Sequence, residues 1–313
     1  MKAVVMHETG PPDVLKLEDV ERPEPIPAEV LVEVAAAGIN PVDYKTRETG
    51  GLIKTMGGLP VILGWDIAGT IAELGGEVTR FEPGDRVFGM PRFPREAGGY
   101  AEFATSPADQ LAPTPEKLSD EQAAALPLAG LTAWQALVGI AEVGEGDRVL
   151  VHAASGGVGH LAVQIAKARG AYVIGTARAE KHAFLAELGV DEQIDYSERA
   201  FEDEVDGVDV VLDLVGGKDY GLRSLQTLAE DGLLVAVPGG VSDPVAAAAA
   251  EQGKRAAGIM VKPDGAGLEA LAALVDADQL QVVVEESFPL AQAAEAHERL
   301  EYGRARGKYV LRP

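Results

Sequence analysis

The stretch Gly146–Lys167, GDRVLVHAASGGVGHLAVQIAK, constrains this chain most. An apolar run, Val149 to Ala154, meets a glycine-rich turn, Ser155 to Gly159, and an amphipathic run follows that ends at Gly170. The order is strand, phosphate loop, helix. The spacing Ala154-x-Gly156-x-x-Gly159 is the dinucleotide fingerprint with alanine in the first glycine's place. A small residue at 154 lets the chain turn sharply. Gly156 lets the backbone approach a pyrophosphate, and Gly159 lets the helix lie close to the strand. The helix amide ends then face the anion. Ser155, Gly156, Gly157, Val158 and Gly159 are the expected pyrophosphate cradle. Glycine turns are common, so it is the flanking strand and helix that distinguish this from a turn of purely structural use.

The rest of the chain falls into two regimes around that stretch. Up to about residue 118, short apolar runs such as Lys2–Met6, Val30–Ala37, Ile67–Leu74 and Arg86–Gly89 alternate with Pro and Gly signals, and no phosphate loop occurs. This is the pattern of a compact β-rich domain. Ser119 and Gln122 then stand at capping-box spacing and open a helical stretch; a second helix is expected over about 131–141, after Pro127 and Gly130. Beyond Gly146 strands and helices alternate: strands over 171–176, 193–196, 208–215, 232–237 and 257–261, helices over 180–188 and 218–229. Pro238-Gly239-Gly240 closes the fourth of these strands. Such alternation implies an α/β fold, a doubly wound parallel sheet of the Rossmann type with right-handed crossovers. The tail carries strand-like segments at 281–287 and 308–311 with helices before and between them. Pattern alone leaves open which sheet they join.

With 313 residues the chain is long enough for two ordinary domains. It contains no cysteine, which removes disulfides, thiolate metal ligands and a cysteine nucleophile, and fits a cytoplasmic setting. The N-terminal MKAVVMHETGPPDVL has neither a signal-peptide core nor a membrane span. A formal net charge of -23 argues against nucleic acid and against an anionic membrane as partners. It also means that a phosphate-rich cofactor must be held by a local cluster of donors and cations. The five histidines, His7, His152, His160, His182 and His297, are scattered without close ligand spacing, so no metal is expected.

Several motifs together resemble the medium-chain dehydrogenase/reductase superfamily, and within it the zinc-independent quinone oxidoreductase (zeta-crystallin-like) branch. They are Gly146-Asp147, Leu150, Ala154-Ser155, Gly156-Gly157-Val158-Gly159, Gln164 and Lys167. Upstream and downstream stand Gly38–Gly50 (GINPVDYKTRETG), Gly98–Phe103 (GGYAEF), Gly130–Trp134 (GLTAW) and Gly307–Leu311 (GKYVL), so the similarity spans the chain. The resemblance implies a GroES-like β-rich catalytic domain over 1–120, to which tail strands within 276–313 return, and an NADP-binding Rossmann domain over 121–275. It implies a homodimer. The zinc-dependent relatives place cysteine and histidine where this chain has Asn40 and Trp65, with an acidic residue at the position of Asp66.

The second Rossmann strand ends near Thr176, where an NAD-specific site offers a carboxylate to the adenosine ribose. Here the chain reads Gly175-Thr-Ala-Arg178-Ala-Glu180-Lys181. Thr176, Arg178 and Lys181 suit a 2′-phosphate by charge and charge-assisted hydrogen bonds. The alternative is a solvated helix start, with Glu180 turned inward to hold a ribose diol. The resemblance adds Lys181 and Tyr196 to an NADP site and a cation, Lys308, near the pyrophosphate. Thr132, Val215, Gly239 and Gly240 fall at loops or strand ends on the expected cofactor side, or serve packing and turns. The expected cofactor is NADP.

Without a metal to polarise an oxygen, hydride transfer suits an acceptor that is already electrophilic, a quinone or an α,β-unsaturated carbonyl. Asn40 could hydrogen-bond the nicotinamide ribose or the substrate oxygen. Tyr44, four residues on, shares its side if that stretch is helical, and its phenol could act as a donor. Arg47 is as plausible as a structural ion-pair partner. Two other readings remain: an enoyl-thioester reductase on the same scaffold, and a non-catalytic NADP-binding sensor or structural protein.

Overall fold

The computed structural model describes residues 1–313 except Pro238 and Arg304, so the expected strand stop at Pro238 lies outside the described residues. In chain order the first strands are β1 (Lys2–Met6), β2 (Leu15–Asp19), β3 (Glu29–Ile39), β4 (Val61–Ile62), β5 (Asp66–Leu74), β6 (Arg86–Gly89), β7 (Phe103–Pro107) and β8 (Leu111–Pro113). They are followed by β9 (Arg148–Val151), β10 (Tyr172–Thr176), β11 (Glu192–Ile194), β12 (Val208–Asp213), β13 (Leu228–Ala236) and β14 (Arg255–Gly258). The tail adds β15 (Val284–Pro289) and β16 (Lys308–Arg312).

Strands β9 to β14 form one parallel sheet in the order β11-β10-β9-β12-β13-β14. This is the doubly wound Rossmann order, with its switch point at β9. The central strands read as unbroken apolar runs because both faces are covered. Val149, Leu150 and Val151 are fully buried, as are Val173, Ile174, Val211 and Leu212. Leu150, Ile174, Val211 and Leu234 share one apolar cluster with Phe201, Leu225 and Val245 from the covering helices.

The other large sheet runs β15-β16-β3-β5-β6-β8, with β7 also on β3; a small sheet β2-β1-β4 stands beside them. The eleven-residue β3 is its spine. β16 pairs antiparallel with the end of β3, Tyr309 opposite Ile39 and Leu311 opposite Ala37. The tail strands therefore join the N-terminal sheet, which pattern alone had left open.

By contacts the chain divides into two units, Met1–Leu131 with Lys262–Asp276 and Val282–Pro313, and Thr132–Val261 with Ala277–Gln281. The helix Gly265–Asp276 thus belongs with the first unit rather than with the Rossmann sheet, as the expected boundary at 275 would have it. Its Gly265 lies so close to Asp109 O that a Cβ would stand 2.3 Å away. The boundary expected at 120/121 falls instead between Leu131 and Thr132, inside the helix Pro127–Trp134. Pro127 and Gly130, read as lying ahead of a helix, are part of it. Proline fits a first helical turn, where its missing N–H has no partner to lose. The helix continues as a π-helical segment, Gln135–Ile140.

Candidate active site

In the Rossmann unit, the loop after β9 turns at Ala153, a non-glycine residue with φ of 48°. Gly156 N–H donates to Ala153 O at 2.9 Å, closing the turn. The helix Gly159–Ala168 starts at the last glycine of the fingerprint. A Cβ on Gly159 would stand 2.3 Å from Ala153 O and 2.7 Å from Ala154 Cα, both backbone atoms, so only glycine fits. His160 does not face out of the loop. It is buried, and its Nδ1 lies 2.9 Å from Gly156 O, tying the first helical turn back onto the loop. A closed turn followed at once by a helix N-terminus fits a dinucleotide pyrophosphate, since the unshared amides of a first turn suit an anion.

At the carboxyl end of β10 the expected residues separate. Thr176 is fully buried, and its hydroxyl is engaged with Ala153 N–H and His152. Arg178 is exposed, as is Tyr196, and Tyr196 is the main group that raises the guanidinium pKa. Lys181 closes the short turn Ala179–Lys181. Sequence reasoning missed Asp195, whose Oδ2 accepts Ala179 N–H at 2.8 Å and whose Oδ1 accepts Ser197 N–H and Oγ–H. The Asp-x-Ser pattern is the signal that could have found it, an Asx turn. Glu180 and Asp195 both act electrostatically on Arg178. The cation is therefore partly balanced, and a phosphate there competes with carboxylates.

Val215, exposed, follows β12, and its N–H donates to Asp213 Oδ1 with that of Gly216, both at 2.9 Å. Asp213 lines a cavity of about 170 Å³ together with Gly239 and Gly240. Burial holds its carboxyl above the usual range, opposed by those two N–H groups. Thr132 is buried at the boundary of the unit.

Asn40, Tyr44 and Lys308 lie in the first unit. Asn40 follows β3 as the extended N-cap of the helix Pro41–Thr49, so Tyr44 is helical while Asn40 itself stands just outside the helix. Asp43 Oδ2 accepts Asn40 N–H at 2.7 Å and its Oδ1 accepts Gly64 N–H at 3.2 Å. Tyr44 is half-buried, and burial with Glu301 and Glu48 holds its phenol above its ordinary pKa. Arg47 is buried and pairs with Glu301 at 2.8 Å, the structural reading of that residue.

Lys308 is buried. Its ammonium donates to Ile39 O at 2.9 Å and to Asn40 Oδ1, and stands 3.7 Å from Asp66 Oδ2. An ammonium only donates, so the Asn40 atom it meets is the carbonyl oxygen. Asn40 Nδ2 then donates to Asp66 Oδ2 at 2.8 Å, and Asp66 Oδ1 accepts Leu128 N–H at 2.8 Å. The buried Asp66 carboxylate thus stands beside the ammonium, and Asp43 acts on it only electrostatically. Burial pushes Asp43 up to about 7 and Asp66 up to about 6. Burial also lowers Lys308, opposed by Asp66 and Asp43. Trp65 is buried, with Nε1–H donating to Arg95 O at 2.6 Å. Among the described residues no group of three or more His, Cys, Asp or Glu is placed to hold a metal ion. The positions that carry zinc ligands in the zinc-dependent relatives are here an amide already bound by a cation and an indole.

A Rossmann unit with a glycine-rich loop after its first strand, and a mainly antiparallel β unit that recovers the tail strands, make the architecture of the medium-chain dehydrogenases and reductases. Residues 26–116 match the alcohol dehydrogenase GroES-like domain family, and residues 188–311 the family described as zinc-binding dehydrogenase. A quinone oxidoreductase from Coxiella burnetii shares 43% identity and a TM-score of 0.94, over 100% of this chain and 99% of that one. The Escherichia coli quinone oxidoreductase, solved with NADPH, shares 30% and 0.89 over 100% of both chains. The chloroplastic NADPH-dependent alkenal/one oxidoreductase of Arabidopsis thaliana is 36% identical over 100% of this chain and 80% of its own. The chain belongs to the zinc-independent quinone oxidoreductase branch of that superfamily.

Proposed function

We propose that the protein reduces quinones or α,β-unsaturated carbonyl compounds with NADPH as hydride donor. The observation that carries the reading is the closed Gly156–Gly159 loop at the start of the helix Gly159–Ala168, with Arg178 exposed beyond the end of β10. The names of the similar proteins, two quinone oxidoreductases and an alkenal/one oxidoreductase, favour the same acceptors.

When bound, NADPH supplies the hydride. Ser155, Gly156, Gly157, Val158 and Gly159 hold its pyrophosphate by backbone amides, and Gly159 keeps the helix close enough to do so. Arg178, Tyr196 and Lys181 take the 2′-phosphate. Thr132, Val215, Gly239 and Gly240 shape the remainder of the cofactor site, with Asp213 holding the Val215 turn. Asn40 keeps one Nδ2 hydrogen after serving Asp66 and Lys308, so it has a donor left for a ribose or a substrate oxygen. The Tyr44 phenol, held protonated, is a second donor for the oxygen on which charge develops. The domains are a GroES-like catalytic unit with the tail strands and an NADP-binding Rossmann unit. We infer a cytoplasmic homodimer, a setting consistent with the absence of cysteine.

The test is NADPH oxidation with the purified chain against a naphthoquinone and a series of alkenals and enones, with NADH in parallel. Turnover of at least one acceptor class is expected. Tight NADPH binding with no acceptor turned over would sink the enzyme reading and leave a binding protein.

A further inference from the structure

The polar contacts beneath the phosphate loop have a direction. Ser224 Oγ–H donates to Tyr220 O at 2.9 Å. Its oxygen therefore accepts from His152 Nε2, 3.0 Å away, and the imidazole carries its proton there. Nδ1 is then an acceptor, and the Thr176 hydroxyl, 3.3 Å away, donates to it. With its one proton committed, Thr176 Oγ1 accepts Ala153 N–H at 3.2 Å. His152, Thr176 and Ser224 are all fully buried, and the rings of Phe201 and Tyr220 stand 4.4 and 4.8 Å from the imidazole.

The chain of hydrogen bonds ends on Ala153, whose φ of 48° is disfavoured for any residue with a Cβ. Ala153 O in turn accepts Gly156 N–H, inside the phosphate loop. A buried, saturated hydroxyl has nothing to offer a phosphate, yet it holds the strained residue from which the loop departs.

We propose that His152 is a positioning residue for the dinucleotide pyrophosphate: through Thr176 it holds Ala153 left-handed and so sets the path of Ser155–Gly159. Thr176 then serves the part that NADPH and NADH share, and 2′-phosphate selection belongs to Arg178, Tyr196 and Lys181 alone. The inference rests on the reading of this loop as a dinucleotide site.

The experiment titrates the full chain with NADPH and with NADH. Thr176→Val and His152→Leu each weaken both cofactors by about tenfold while the ratio of the two affinities stays within about twofold. Thr176→Ser, which keeps the hydroxyl, binds as the parent does. Adding Ala153→Gly to Thr176→Val restores most of the loss, because glycine adopts the turn unaided. A loss confined to NADPH, or no recovery with Ala153→Gly, overturns the proposal. If His152→Leu does not fold, Thr176→Val and the imidazole ¹⁵N signals decide. The Nε2–H tautomer is expected, and an Nδ1–H tautomer overturns the chain of donors. A parent protein that binds neither nucleotide is a different failure, that of the dinucleotide reading itself.

Discussion

Lys308 on β16 sets its ammonium 3.7 Å from the Asp66 carboxylate on β5, with both side chains inside the β unit. A cation expected on the resemblance to lie near a pyrophosphate is thus engaged with Asp66, Asn40 Oδ1 and Ile39 O. Buried charges of this kind depend on each other, since removing one leaves the other without compensation.

Lys308→Met keeps the length of the side chain and removes its charge. It is expected to destabilise the fold by about 3–5 kcal/mol, the range for breaking a buried pair. Urea unfolding measures it, and a loss within experimental error would mean that Asp66 is already neutral in the parent.

Stability should pass through a maximum with pH. The raised carboxyls, Asp43 at about 7 and Asp66 at about 6, contribute stability that is complete below their unfolded values and is lost as pH rises through those folded values. His152 and His297 act oppositely. Burial pushes both down to about 3, so their contribution is present above the ordinary imidazole value and fades as pH falls below it. The two slopes cross between about pH 6 and 7, where the urea midpoint should be highest. A midpoint that climbs steadily through pH 8 would contradict the buried-carboxyl account.

Gly159→Ala tests the loop by sterics alone. Its Cβ would meet two backbone atoms that no rotamer change can move aside. Overpacking of this sort costs about 1–3 kcal/mol, and the dinucleotide affinity should fall at least tenfold for NADPH and NADH alike. Calorimetric titration reads both; unchanged affinity would mean that the helix need not sit where it does.

Arg178→Ala combined with Lys181→Ala should weaken NADPH by more than tenfold and NADH by less than twofold, since a charge-assisted contact is worth about 1.5–3 kcal/mol. Equal losses would refute the 2′-phosphate assignment and return Glu180 to consideration as a ribose ligand.

Tyr44→Phe should lower kcat for enones by about tenfold with little change in KM if the phenol donates in the transition state. Because burial, Glu301 and Glu48 hold that phenol protonated, the parent kcat should show no alkaline fall below its ordinary pKa. A rate unchanged in the phenylalanine variant would reduce Tyr44 to a pocket wall.

The Rossmann half was legible because its signals are local. Glycine spacing, unbroken apolar strands and amphipathic helices repeat over short windows; the loop and the helix to Ala168 lie where the pattern put them, while β9 ends at Val151 and His152–Ala154, read as its end, already turn. Short elements held by distant partners were harder. The strand expected at 257–261 is β14, Arg255–Gly258, because its bounds come from pairing with Leu233–Ala236 rather than from its own residues. The helix Gly265–Asp276 carries no mark of the unit it packs with.

At the site the same division holds. Residue type and spacing along the chain determined that a glycine-rich loop joins strand to helix at Ser155–Gly159, that no thiolate is available, and that cations follow β10. Only the tertiary structure decided the roles of Thr176 and Lys308. Both side chains are polar and stand beside expected ligands in sequence, yet one is saturated by His152 and Ala153 and the other by Asp66 and Asn40. A buried polar group is directed by the partners that folding brings to it from remote segments, and those partners are not written in its neighbourhood along the chain.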